Sequence, residues 1–219
     1  MRNTHTPIAV EGYPFIAGFA AVAALLALLG QFLHFGFFIP AALFVLLALF
    51  SVFFFRNPQR TTPPGENVVV APADGEVIFL GKVVEPHTSA EMEKISIFMS
   101  VFNVHVNRAP ISGKVLDGFY TKGKFYDVRD ERASFENEQQ GLVLETATGL
   151  RMVVVQVAGL IARRIVCYVK AGDLLTRGRR YGLIRFGSRL DVYLPLGTRI
   201  DVTMGQKTVA GETVLGILP

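Results

Sequence analysis

The stretch "FFFRNPQRTTPPGENVVVAPADGEV", residues Phe53–Val77, changes character twice. Aromatic residues closing an apolar run give way to Pro, Thr and Asn, which do not continue a helix. These yield in turn to three valines and an Asp-Gly turn signal. Helix is therefore expected on its N-terminal side and strand on its C-terminal side.

Toward the N-terminus lie two uncharged runs, Tyr13–Leu29 and Phe37–Phe55, separated by little more than "GQFLHFG". Each approaches the roughly 20 residues a helix needs to cross a bilayer core. A cleavable signal peptide is the competing reading of the first run, with Arg2 as its basic start. It leaves the second run, which follows with no processed linker, unexplained. A transmembrane helical hairpin accounts for both. Its turn carries no Lys or Arg, whereas Arg2 precedes the first run and Arg56 and Arg60 follow the second. The positive-inside bias then puts both ends, and all that follows, on the cytoplasmic face of the cell membrane.

Toward the C-terminus the runs "EVIFLGKV", "KISIFMSV", "GLVLET", "LRMVVVQV", "RRIVCYV", "RLDVYLP" and "RIDVTM" are β-branched or aromatic and are divided by Gly, Asp-Gly or Pro. Apart from the hairpin only "AGLIARR" suggests a helical turn. The expected fold is β-dominated α+β: a compact β-sandwich-like domain behind the hairpin, with 1–55 as anchor, 56–67 as linker and 68–219 as the β-rich domain. The single cysteine, Cys167, excludes a disulfide framework within one chain. The net charge of +4 comes without zinc-finger spacing, a basic helix or an aromatic RNA platform, so no nucleic-acid partner is expected. Beside a membrane anchor such charge suits anionic lipid headgroups. Glycine spacing in "VKAGDLLTRGRRYGLI" and "MGQKTVAGETVLGIL" is that of compact carrier modules. Lys170 and Lys207, however, sit beside strands and not in an exposed hairpin tip.

The chain has no G-x-S-x-G elbow, Walker loop, H-E-x-x-H or Cys-x-x-Cys motif, and no metal site is expected. Of four histidines, His5 is in the N-terminal tail, His34 in the hairpin turn and His87 in a loop after Pro86. That leaves His105, in "SVFNVHVNRAP", as the one well-placed imidazole for acid–base chemistry near neutral pH; the plainer reading is a histidine satisfied within a sheet. Asp74 reads equally as turn chemistry or as an acid that orients a histidine. In "GLIRFGSRLDVYLP" the pair Gly187-Ser188 separates two strand-like runs. Such a pair is common filler, yet glycine also tolerates the close approach a serine needs to attack the preceding carbonyl.

"FFRNPQRTTP", "APADGEV", "FMSVFNVHVNRAP", "QVAGLIARRIVCYV" and "RFGSRLDVYLP", in this order, resemble the short bacterial and archaeal form of phosphatidylserine decarboxylase. The resemblance runs from about Phe53 to the C-terminus. It implies a proenzyme that cuts itself between Gly187 and Ser188 into a β chain, 1–187, and an α chain, 188–219. The two chains would remain a heterodimer, with any higher oligomer left open. Ser188 would attack the Gly187 carbonyl, giving an ester. Elimination, tautomerisation and hydrolysis with loss of ammonia would then leave a covalent pyruvoyl group, the cofactor. In the family that ketone forms a Schiff base with the serine amine of phosphatidylserine and takes up the electrons left by CO2, giving phosphatidylethanolamine. By the same resemblance Asp74 and His105 fall at the acid and histidine positions of the machinery. Long-form members carry a second histidine where Arg108 stands, which leaves open whether His105 serves cleavage, decarboxylation or both. Arg108, Arg163 and Arg164 are candidates for the substrate phosphate. The rival readings are a pyruvoyl decarboxylase for a soluble amino acid, and a membrane-tethered carrier- or adaptor-like β-sandwich without catalysis.

Overall fold

Two compact units make up the computed structural model, one ending at Pro58 and one beginning at Gln59. It describes residues 6–130, 132–160, 164–185 and 187–219. The first unit holds α1 (Tyr13–Phe32) and α2 (Phe38–Phe54), with short 3-10 turns at Val10–Gly12 and Phe35–Phe37. Pro14 sits in the first turn of α1, where no N–H is missed. His34 caps the connection by accepting the Gly36 N–H at Nδ1, 3.1 Å away. Gly12 is required at its position, because a Cβ there would lie 2.6 Å from Phe55. Leu25, Leu28, Ile39, Leu46 and Leu49 are exposed on these helices. Both helices are long and apolar enough to cross a membrane.

The second unit is β-rich. Its strands are β1 (Val68–Val70), β2 (Gly75–Val84), β3 (Glu91–Met99), β4 (Val106–Arg108), β5 (Gly113–Thr121), β6 (Gln139–Glu145), β7 (Arg151–Ala158) and β8 (Ile165–Cys167). They continue with β9 (Leu174–Leu175), β10 (Arg180–Ile184), β11 (Ser188–Pro195), β12 (Arg199–Ile200), β13 (Lys207–Thr208) and β14 (Val214–Ile217). A single turn, α3 (Ala133–Glu136), lies between β5 and β6. The order β13-β2-β3-β11-β7-β6-β5-β9 forms one antiparallel sheet, and β1-β14-β12 and β4-β10-β8 form two smaller ones. Bulges at Val77/Phe79 and Val115/Asp117 bend the large sheet. The main core joins Ile95, Ile97, Val154 and Leu190 of that sheet to Val69, Leu215, Tyr181 and Ile184 of the small ones. A second cluster, including Val153, Val155 and Tyr193, lies on its other face with Val128 and Ala133. A β-dominated unit following two apolar helices in the chain agrees with the sequence expectation.

Differences of extent have local causes. The run "RIDVTM" is strand only at Arg199–Ile200, because a turn follows in which Gly205 has φ +77° and Gln206 Oε1 accepts the Thr203 N–H. "AGLIARR" falls largely on 161–163, outside the described residues. The stretch 56–67 divides between the units. The Asn57 amide donates to Thr6 O at 2.7 Å, while Arg177 donates to the carbonyls of Pro63, Gly65 and Val68.

Candidate active site

Ser188 opens β11 at the centre of the large sheet, paired with Met99 of β3 on one side and Ala158 of β7 on the other. It is fully buried, and its hydroxyl donates to Met99 Sδ at 3.4 Å, a weak acceptor. Gly187 before it has φ +72°, a left-handed conformation that glycine adopts without a Cβ penalty. Its N–H donates to His105 Nε2 at 3.3 Å. His105 is buried one residue before β4, and its Nδ1 lies 3.0 Å from the Asn103 carbonyl. A carbonyl only accepts, so Nδ1 carries the hydrogen and Nε2 presents its lone pair to Gly187. The turn that sets this tautomer is itself tied, since Ser100 donates from both N and Oγ to Asn103 Oδ1 at 2.8 Å.

One neighbour of the bond, and an amide pair behind Met99, escape sequence reasoning. Gly159, after β7, packs so closely that a Cβ there would lie 2.6 Å from the Gly187 carbonyl oxygen and 3.2 Å from Val128 Cγ1. Gln156 Nε2 donates to Asn107 Oδ1 at 2.7 Å, and Asn107 Nδ2 reaches Met99 Sδ at 3.8 Å. The methionine sulfur thus meets both Ser188 and a buried amide pair. Gln156 Oε1 is buried without a hydrogen-bond partner among the described residues. A glycine after a strand and amides inside apolar runs carry no distinctive sequence signal; only the register places them here.

Gly187, Ser188 and His105 are therefore brought together. Asp74 lies in a neighbouring charged cluster: Oδ2 accepts from Arg60 and Oδ1 from the Ala210 N–H, each at 2.8 Å. Among the described residues it makes no hydrogen bond to His105, whose Nδ1 faces Asn103 O instead. Arg108 is buried in the same cluster and donates to Gly178 O at 2.8 Å. Burial, then the nearby Arg180 and Arg60, pull its pKa down to about 10. Arg164 is exposed, and its carbonyl accepts the Arg185 N–H at 3.2 Å, two residues before Gly187. Arg163 lies outside the described residues. No group of three or more metal-ligating side chains converges among the described residues.

A family model described as phosphatidylserine decarboxylase matches residues 47–216, a span that contains every residue of this site. The chain belongs to the phosphatidylserine decarboxylase family. It is 86% identical over 219 residues, all of both chains, to the phosphatidylserine decarboxylase proenzyme of Geobacter sp. (strain M21). It is 69% identical, again over all of both chains, to that of Geobacter metallireducens. With the proenzyme of Trichlorobacter lovleyi it shares 57% over 216 residues, 98% of each chain. The phosphatidylserine decarboxylase match begins inside α2 and ends inside β14, so it takes in the whole large sheet.

Proposed function

We propose that this chain is a membrane-anchored decarboxylase that converts phosphatidylserine to phosphatidylethanolamine and CO2, after cutting itself between Gly187 and Ser188. The observation that carries this reading is the bond itself: a left-handed glycine and a buried serine at a strand start, with a neutral histidine nitrogen 3.3 Å from the glycine N–H.

The residues supply what the cut requires. Among the described residues the Ser188 hydroxyl donates to a thioether, a weak acceptor, while His105 Nε2, a stronger one, is bonded to the N–H of Gly187, the residue whose carbonyl would be attacked. As Oγ bonds to the Gly187 carbonyl carbon, the C–N bond breaks and the Ser188 nitrogen takes a proton, which His105 is placed to return. Gly159 leaves room at the carbonyl oxygen.

The surroundings also fit a pyruvoyl group at residue 188. Met99 and Ala158 flank the position with apolar atoms, and among the described residues Asn107 Nδ2 has sulfur as its acceptor and Gln156 Oε1 has no donor. Such a group supplies a reactive carbonyl conjugated to an amide, an electron sink for decarboxylation. Arg164 at the exposed rim suits the substrate phosphate better than Arg108, whose charge is spent internally. Phe102 and Leu160 are exposed beside the His105 turn and Gly159, as suits a substrate whose acyl chains stay in a bilayer. In this reading 1–55 anchors the chain, 56–67 links, and 68–219 works on the cytoplasmic face, as the 1–187 and 188–219 chains together.

Intact-mass measurement of the purified protein in detergent tests this. The expected result is a fragment of 32 residues, 188–219, with a blocked N-terminus that reacts with a carbonyl reagent, and activity on phosphatidylserine but not free serine. Ser188→Ala should stay uncut and inactive. A folded wild-type chain that remains full-length with an unmodified Ser188 would leave only a tethered, non-catalytic β domain.

A further inference from the structure

Side chains alternate along β11, so Ser188, Leu190 and Val192 face the main core while Arg189, Asp191 and Tyr193 face the opposite side of the sheet. On that side Arg189 is buried and makes four hydrogen bonds. Nε and Nη2 grip the two oxygens of Asp191 at 2.8 and 2.9 Å. Nη1 donates to Val128 O at 2.5 Å, and Nη2 to Ser134 Oγ at 2.6 Å. Lys94 closes the network from β3, 3.1 Å from both Asp191 and Ser134, with the rings of Phe79 and Tyr193 at 5.5 and 5.3 Å. The network floors a cavity of about 370 Å³ that Arg129 and Phe135 also line.

A cut between 187 and 188 would make this network span two chains, with Arg189 and Asp191 on one and Lys94, Val128 and Ser134 on the other. Conversion of Ser188 to a ketone also removes its nitrogen, so residue 188 loses its N–H and can no longer donate to β3 or β7. A strand end freed in this way frays, whereas a reacting group has to be held to within about 0.5 Å. We infer that Arg189 is the positioning residue that pins the new α-chain N-terminus after self-cleavage. The inference rests on the self-cleavage reading above. Val128, which Arg189 holds by its carbonyl, also packs near Gly159, so the same grip ties the β-chain wall of the site to the α-chain end.

The test compares wild type, Arg189→Met and Arg189→Lys in the full chain. Methionine leaves Lys94 and Asp191 as a one-to-one pair, so no uncompensated charge is buried. Arg189→Met should still cut itself, but turn over phosphatidylserine on the order of 10²-fold more slowly with little change in KM. Its blocked N-terminus should react faster with a carbonyl reagent, and Arg189→Lys should recover part of the loss. Wild-type turnover and labelling in a cut Arg189→Met protein would overturn the inference and leave self-cleavage standing. A folded but uncut Arg189→Met chain would move the arginine into the cleavage step and overturn it equally. Should that variant fail to fold, Ser134→Ala removes one contact and no charge; unchanged turnover and labelling there would count against the inference. An uncut wild type would instead overturn the self-cleavage reading itself.

Discussion

At the scale of single residues, the site depends on two glycines and a histidine. Gly159 has an ordinary turn appearance in sequence, yet a methyl group there would press on the Gly187 carbonyl, the one Ser188 would attack in the proposed cut. Gly159→Ala should therefore fold but self-cleave on the order of 10²-fold more slowly, followed by the disappearance of the full-length mass; wild-type cleavage would show that the carbonyl has slack. His105→Ala should slow cleavage by roughly 10²-fold or more, the usual weight of a positioned base. Normal cleavage with lost turnover would instead assign His105 to decarboxylation alone. Asp191 carries the pH dependence of the opposite face. Burial would raise its pKa, but Arg189 and then Lys94 outweigh burial and hold it below the usual carboxylate range. A depressed folded-state value contributes stability that is present above the unfolded value of about 3.9 and is lost as pH falls through the folded one. Wild-type melting temperature should accordingly fall steeply below about pH 4. Asp191→Asn should be weaker at neutral pH and flatter in that acid window; equal acid slopes would remove Asp191 from the explanation.

At the scale of elements, legibility followed the length of the apolar run. The two helices were plain in sequence because some 17 to 20 residues without charge have few other uses. Leu25 and Leu46 lie on their exposed faces, and an arginine at mid-membrane costs about 2.5–3.5 kcal/mol on insertion scales. A Leu25→Arg/Leu46→Arg chain should shift from the membrane fraction in flotation. If it floats as wild type does, the hairpin is not the anchor. β7 was equally readable, as its "VVVQV" run is buried on both faces. β5 was not among the runs read as strands. Its Asp117-Gly118 pair looks like a turn, but the structure keeps it within a bulged strand, with Asp117 bonded to His87 at 3.0 Å. A bulge and a turn use the same residues, and only a partner strand distinguishes them.

At the scale of the whole molecule, the 32 residues after the proposed cut are not an appendage. They supply β11 between β3 and β7, β13 beside β2, and β14 beside β1. The two chains should therefore co-elute in detergent and separate only in denaturant; spontaneous loss of the small fragment under native conditions would contradict this pairing. The sequence by itself determined the two-part plan, since apolar length and β-branched runs are local properties, and ordered motifs pointed to the family and to Gly187-Ser188. Tertiary structure alone decided which groups meet that bond. Met99 and Gly159 reach it through strand register, with Asn107 and Gln156 behind the Met99 sulfur, and Asp74 is drawn to Arg60 and Ala210 while Asn103 takes the histidine Nδ1. Contacts between residues dozens of positions apart are set by which strands pair and in which register, and that choice is made by the packed core as a whole.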